Sequence, residues 1–160
     1  MQVFFFNIIK LLTNSNIWIA LASFSLYQAS LVQLGFHLKI NATSLFIFFS
    51  ALFTYNLFQY LGQGKQLKKI SPFTIFVLNL SVFGSICSIV FLSFTSIVLL
   101  ILAGLLSFFY ASPLFKIGKR NFSLRKFWFL KSITVALVWT ITSSIIPLIE
   151  FQVTESQLYL

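Results

Sequence analysis

Five long apolar stretches alternate with short segments that carry nearly all of the charge. Each stretch approaches the roughly 20 residues that an α-helix needs to cross ~30 Å of hydrocarbon. The stretches are continuous rather than alternating, which favours helices over membrane barrel strands. The pattern predicts an all-α fold, a polytopic transmembrane helical bundle of about five spans in a single integral membrane domain, residues 1–160. The predicted spans are residues 16–34, 42–61, 73–92, 95–115 and 132–149.

The composition excludes an ordinary soluble domain. Hydrophobic residues make up 59% of the chain and charged residues only 8%, whereas soluble domains carry about 25% charged residues. So little polar surface cannot cover so large an apolar interior. The single cysteine, Cys87, cannot form an internal disulfide.

The basic residues predict how the chain is oriented in the membrane. One side of the predicted topology has only one basic residue, Lys39, together with both acids, Glu150 and Glu155. The other side has the remaining ten lysines and arginines. The positive-inside rule therefore places the N-terminus and the basic loops in the cytoplasm. The expected partners are the lipid bilayer and its anionic head groups rather than nucleic acid, because the basic residues lie in short loops beside spans. Those residues are Lys10, Lys65, Lys68, Lys69, Lys116, Lys119, Arg120, Arg125, Lys126 and Lys131.

Chemistry-bearing residues are scarce inside the spans. No predicted span has a charged residue near its centre, which disfavours a proton-coupled or ion-coupled transporter because such proteins generally need an intramembrane ionisable group. One histidine, one cysteine and two distant acids predict no metal site built from protein ligands alone. We interpret His37 as a residue at the outer boundary of the membrane.

Polar residues at the cytoplasmic ends of two spans form the candidate site. Asn56 and Gln59 are three apart and share a helix face, where they either hydrogen-bond a neighbouring helix or line a polar site open to the cytoplasm. Tyr110 lies near the end of the fourth predicted span, and the cations Lys116, Lys119 and Arg120 follow that span. These cations either fix topology and contact anionic lipid, or form a cationic mouth for a diphosphate. We assign no catalytic residue.

Small residues in the third span predict a close helix–helix seam. Ser81, Gly84, Ser85 and Ser88 lie on one helical face. Small side chains let helix backbones approach each other closely in a membrane.

Four segments together resemble the UbiA-type membrane prenyltransferase superfamily. They are Asn-Ile-Trp-Ile-Ala from Asn16, Leu-Phe-Thr-Tyr-Asn ending at Asn56, Tyr110-Ala-Ser-Pro-Leu-Phe-Lys116, and Lys131-x7-Trp139-x7-Pro147. The likeness covers most of this chain but only the N-terminal half of the family's usual length. It implies a multi-pass protein of the bacterial inner membrane, either truncated at its C-terminus or completed by a second half or a second copy.

The resemblance implies transfer of a polyprenyl group from its diphosphate to an acceptor. In the family, an Asn-Asp-x-x-Asp motif after the second span holds Mg²⁺ on the diphosphate. Here Asn56 matches the asparagine, but Leu57 and Tyr60 occupy the two aspartate positions. No cofactor is evident, although the family uses Mg²⁺. The chain is therefore either a divergent prenyltransferase homologue that binds a prenyl diphosphate, or a non-catalytic protein that binds an isoprenoid or lipid or has a structural role.

Overall fold

Helices make up almost all of the computed structural model, which describes residues 2–62, 72–111, 115–117, 120–122 and 128–150. A π-helical turn, Ile141–Ile145, joins the helix that ends at Thr140 to helical residues 146–150. The predicted helical fold is confirmed. The helices are α1 (Gln2–Asn14), α2 (Ile17–Gln33), α3 (Ala42–Gly62), α4 (Pro72–Ile89), α5 (Phe94–Ala111) and α6 (Trp128–Thr140).

The lengths of these helices fit a membrane. Among the described residues, three helical segments are long and apolar enough to cross a bilayer: Ala42–Gln59, Pro72–Ile89 and Ser132–Glu150. Two shorter apolar helices are Ile17–Gln33 and Phe94–Tyr110. The 17 residues of α2 extend about 25 Å, somewhat less than the hydrocarbon thickness of a typical bilayer. The chain is therefore a helical membrane protein, and its five-span count stays a prediction.

Helix α1 is an element that we did not predict. It ends at Asn14, and α2 begins at Ile17. Between them Asn16 has a φ of 57°, in the left-handed region that asparagine tolerates better than most residues. A left-handed residue ends one helix and redirects the chain, so α1 and α2 are separate helices.

A glycine ends α2. The N–H of Phe36 donates to the carbonyl of Leu31 at 2.9 Å, and the N–H of Gly35 donates to that of Val32 at 3.0 Å. These are the two bonds of a Schellman motif, which needs a left-handed residue just beyond the helix. Gly35 supplies it with a φ of 88°.

The described residues divide into two compact units, Met1–Ala29 with His37–Leu92 and Ser30–Phe36 with Ser93–Leu160. The prediction of a single integral membrane domain stays a prediction. In the first unit, Ala20 of α2, Leu52 of α3 and Val77 of α4 form a buried cluster. Three helices that are consecutive in the sequence therefore share one core.

The α3–α4 contact confirms the predicted seam. Val77, Ser81, Gly84 and Ser88 are the buried residues of α4. A Cβ added to Gly84 would lie only 2.5 Å from the ring Cδ2 of Phe49 in α3, too close for any side chain. The absence of a side chain at Gly84 therefore lets the Phe49 ring lie against the α4 backbone.

In the second unit, helix α5 ends at Ala111, a few residues before the predicted end of the fourth span at Phe115. Pro113 explains where the helix ends, because the residue before a proline avoids the helical conformation. Phe115–Ile117 pairs antiparallel with Arg120–Phe122. These two strands of three residues each form a short hairpin in an otherwise helical fold.

The π-helical turn ends two residues before Pro147, which is fully buried. A proline has no N–H and its ring clashes with the carbonyl four residues earlier, and a π-turn relieves that clash. Nearby hydroxyls then satisfy backbone carbonyls: Ser143 donates to Trp139 at 2.6 Å, and Thr142 donates to Val138 at 2.9 Å. A proline can therefore be accommodated in this apolar helix.

Candidate functional site

The candidate site residues Asn56 and Gln59 face the joint between α1 and α2. The side-chain amide of Asn16 donates to Gln59 Oε1 at 2.7 Å and to Asn56 Oδ1 at 3.2 Å. The Asn56 amide in turn donates to the carbonyl of Ser15 at 2.8 Å. We call these four residues, Ser15, Asn16, Asn56 and Gln59, the joint cluster.

Local sequence explains why the joint cluster forms. Asn56 and Gln59 are three apart on α3, so their side chains leave the same helix face. The left-handed Asn16 presents its own amide to that face while its carbonyl accepts the first hydrogen bonds of α2, from Ile19 at 3.1 Å and Ala20 at 3.2 Å. Ser15 is 1% exposed, and its hydroxyl donates to the Leu11 carbonyl at 2.8 Å. The joint is therefore bonded to its own two helices and to α3.

Asn56 has little bonding capacity left for a ligand. It is 2% exposed, its amide nitrogen donates to Ser15 and to the Leu52 carbonyl at 2.7 Å, and its oxygen accepts from Asn16. A side-chain amide offers two N–H donors and a carbonyl oxygen that can accept two hydrogen bonds; both donors and one of the two acceptor positions are engaged. Of the two interpretations that the sequence left open for this position, the geometry favours the interhelical hydrogen bond. Gln59 is exposed and remains the more accessible of the two.

Magnesium does not fit this position. Mg²⁺ is held by carboxylate oxygens in a tight octahedral arrangement completed by substrate phosphates. The neighbouring Leu57 and Tyr60 have no carboxylate, and the Asn56 side chain is already engaged. Within the described ranges, no group of three or more histidine, cysteine or acidic residues lies together.

The other predicted site residues belong to the second unit. Tyr110 is half-buried near the end of α5. Lys116 pairs with Asn121 and Arg120 pairs with Ile117 across the two short strands. Lys119 lies outside the described residues.

The opposite end of the α2–α3 pair carries a second polar cluster. The Asn41 amide donates to the Tyr27 hydroxyl at 3.0 Å, and the Gln28 amide donates to the Lys39 carbonyl at 3.0 Å. Asn41 also caps α3, because its side-chain oxygen accepts the N–H of Ser44 at 2.8 Å. Hydrogen bonds therefore connect α2 to Lys39 in the following loop and to Asn41 at the start of α3 as well.

Sequence reasoning missed a third cluster, centred on Glu150. Its carboxylate Oε1 accepts the hydroxyls of Ser93 at 2.8 Å and Ser96 at 2.5 Å, and the N–H of Ser93 at 3.4 Å. Ser93 immediately precedes α5, so the negative charge of Glu150 faces the positive end of the α5 dipole. The available signal was Ser93-x-x-Ser96 before an apolar run, which is typical of a helix N-terminus.

Comparison with protein-family models, with curated proteins and with solved structures found no match.

Proposed function

We propose that this chain is a non-catalytic multi-pass membrane protein, a divergent relative of the UbiA-type prenyltransferases that binds an isoprenoid or similar lipid with an anionic head group. The observation that carries the proposal is the engagement of Asn56. It is the one residue of the Asn-Asp-x-x-Asp motif that this chain retains, and its hydrogen-bonding groups are used within the protein.

The loss of carboxylates supports the same conclusion. A prenyltransferase of this type stabilises the diphosphate leaving group through metal ions. With Leu57 and Tyr60 in the acidic positions, that charge would be left to Lys116, Lys119 and Arg120. Lysine and arginine can bind a phosphate without a metal, and so lipid retention is compatible with this chain even where group transfer is not.

The proposal includes a topology finer than the three long membrane helices. All five apolar helices, α2 to α5 and α6 with its continuation, would span the inner membrane of a bacterium, with the N-terminus in the cytoplasm. The asymmetric distribution of lysine and arginine supports this orientation. Reporter fusions after Lys39 and after Lys69 test it: an outside reporter at the first position and a cytoplasmic reporter at the second are expected, and the reverse would refute it.

Ligand protection of the purified protein tests the binding function. Addition of a C15 or C20 prenyl diphosphate should raise the unfolding temperature equally with Mg²⁺ and with EDTA, while the corresponding prenol should have a smaller effect. Replacing Lys116, Lys119 and Arg120 with glutamine should reduce the protection by the diphosphate but not that by the prenol. Absence of protection at millimolar diphosphate would refute diphosphate-lipid binding.

The same samples test the enzymatic alternative. Release of inorganic diphosphate in the presence of Mg²⁺ and an aromatic acceptor would show that polyprenyl transfer survives in this chain, and would overturn the non-catalytic proposal. Protection that requires Mg²⁺ would point the same way, because it would need metal ligands that lie outside the joint cluster.

A further inference from the structure

Helix α1 differs from the membrane-crossing helices in length and in pattern. Its 13 residues extend about 20 Å, too short for the ~30 Å hydrocarbon core. One half of it is entirely apolar, and all of its polar residues lie on the other half, together with Val3 and Phe6. At about 100° per residue, positions 4, 5, 8, 9, 11 and 12, all of them phenylalanine, isoleucine or leucine, fall within one half of the helix. The opposite half holds Gln2, Val3, Phe6, Asn7, Lys10, Thr13 and Asn14.

The described side chains on the apolar half of α1 are not buried in the protein core. Ile9 and Leu11 are each 40% exposed, and Leu12 is half-buried. Lys10 is exposed as well. The sequence of α1 has no acidic residue, so Lys10 gives this helix a positive charge without a neighbouring negative one.

The joint cluster fixes the depth at which α1 ends. The candidate membrane segment of α3 runs from Ala42 to Gln59, and Gln59 is the residue that receives the 2.7 Å bond from Asn16. Asn16 is therefore bonded to the last residue of that apolar segment, near the C-terminal end of α3. Because α1 ends two residues before Asn16 and the left-handed Asn16 redirects the chain, α1 and the candidate span of α3 end close together.

We infer that α1 is an interfacial helix, which lies in the plane of the bilayer surface with its apolar half in the lipid and Lys10 among anionic head groups. Short helices with segregated polar and apolar faces bind membranes in this way. The inference rests on the membrane insertion of the chain but not on lipid binding by the basic loop.

The depth of spin labels tests the inference. In a Cys87→Ser background, single cysteines would replace Ile8 and Leu12 on the apolar half, Asn7 and Thr13 on the polar half, and Leu26 in α2 as a reference. Each variant would be spin-labelled in vesicles of phosphatidylcholine and phosphatidylglycerol. Collisions with oxygen should exceed collisions with a water-soluble nickel chelate at positions 8, 12 and 26, and the order should reverse at positions 7 and 13.

The reference label at position 26 distinguishes a failure of the interfacial-helix inference from a failure of the membrane topology. If position 26 reads as lipid and all four α1 positions read as water, α1 does not bind the membrane and the inference is wrong. If all four positions read as deep lipid, α1 is part of a span and the inference is again wrong. If position 26 itself reads as water, the membrane topology fails first, and the interfacial helix fails with it.

Discussion

Replacement of Asn56 with leucine should loosen the attachment of the α1–α2 joint to α3 without blocking membrane insertion. Leucine has a similar volume, so the change removes hydrogen bonds without opening a large cavity. It removes two bonds between segments, the donation to Ser15 at 2.8 Å and the acceptance from Asn16 at 3.2 Å. The third bond, to the Leu52 carbonyl, lies within α3.

The expected loss follows from the two bonds between segments. Interhelical hydrogen bonds in membrane proteins contribute on average about 0.6 kcal/mol each and at most about 1.7 kcal/mol. Two of them predict a loss of about 1 to 3 kcal/mol in the free energy of unfolding. Unfolding in mixed micelles of mild detergent and dodecyl sulfate, followed by far-ultraviolet circular dichroism, would measure it.

Two control variants separate the hydrogen bonds from other effects. Gln59→Leu removes one bond from an exposed side chain and should cost less than Asn56→Leu. Asn16→Gly keeps the positive φ and removes only the side chain, so it should cost less than Asn16→Ala, which adds backbone strain of roughly 1 kcal/mol. An Asn56→Leu protein as stable as wild type, or one no less stable than Gln59→Leu, would refute the assignment of Asn56 as an interhelical tie.

Other features give smaller predictions that the same unfolding assay can check. Gly84→Ala should destabilise the protein by about 1 to 3 kcal/mol, because its Cβ would clash with Phe49. Gly104→Ala is the matched control, since nothing lies within 4 Å of its Cβ position, and equal losses would contradict the seam. Gly35→Ala should cost about 1 to 2 kcal/mol and Gly35→Asn less, since asparagine tolerates a positive φ; the reverse order would contradict the Schellman cap. Glu150→Leu should cost more than Glu150→Gln, because the amide oxygen can still accept from the serine hydroxyls; equal losses would mean that these bonds contribute little.

Hydropathy predicted the helices well because a membrane imposes one dominant constraint. A backbone in hydrocarbon must satisfy its hydrogen bonds internally, so a long apolar run of this kind has few alternatives to a helix. The predicted start of the first span at residue 16 lies one residue before the start of α2 at Ile17. The seam at Gly84 was also readable, because small residues at helical spacing are a local pattern.

Amphipathic segments and caps were harder to read from the sequence. Helix α1 escaped a search for long apolar runs because its signal is the separation of polar and apolar residues around a helix, rather than length. The strand pair at Phe115–Ile117 and Arg120–Phe122 was missed because a basic loop beside a span reads first as a topology signal.

The polar ties depended on contacts between residues distant in the sequence. The sequence placed Asn56 and Gln59 on one face but could not name Asn16 as their partner, 40 and 43 residues away. The same holds for Glu150 and Ser93, which are 57 residues apart. The sequence by itself determined that the chain is apolar, helical and built for a membrane, because those properties follow from composition and local periodicity. Only the tertiary structure decided which polar groups are used up in holding helices together, because the hydrogen-bond capacity of a side chain is known only when its distant neighbours are in place.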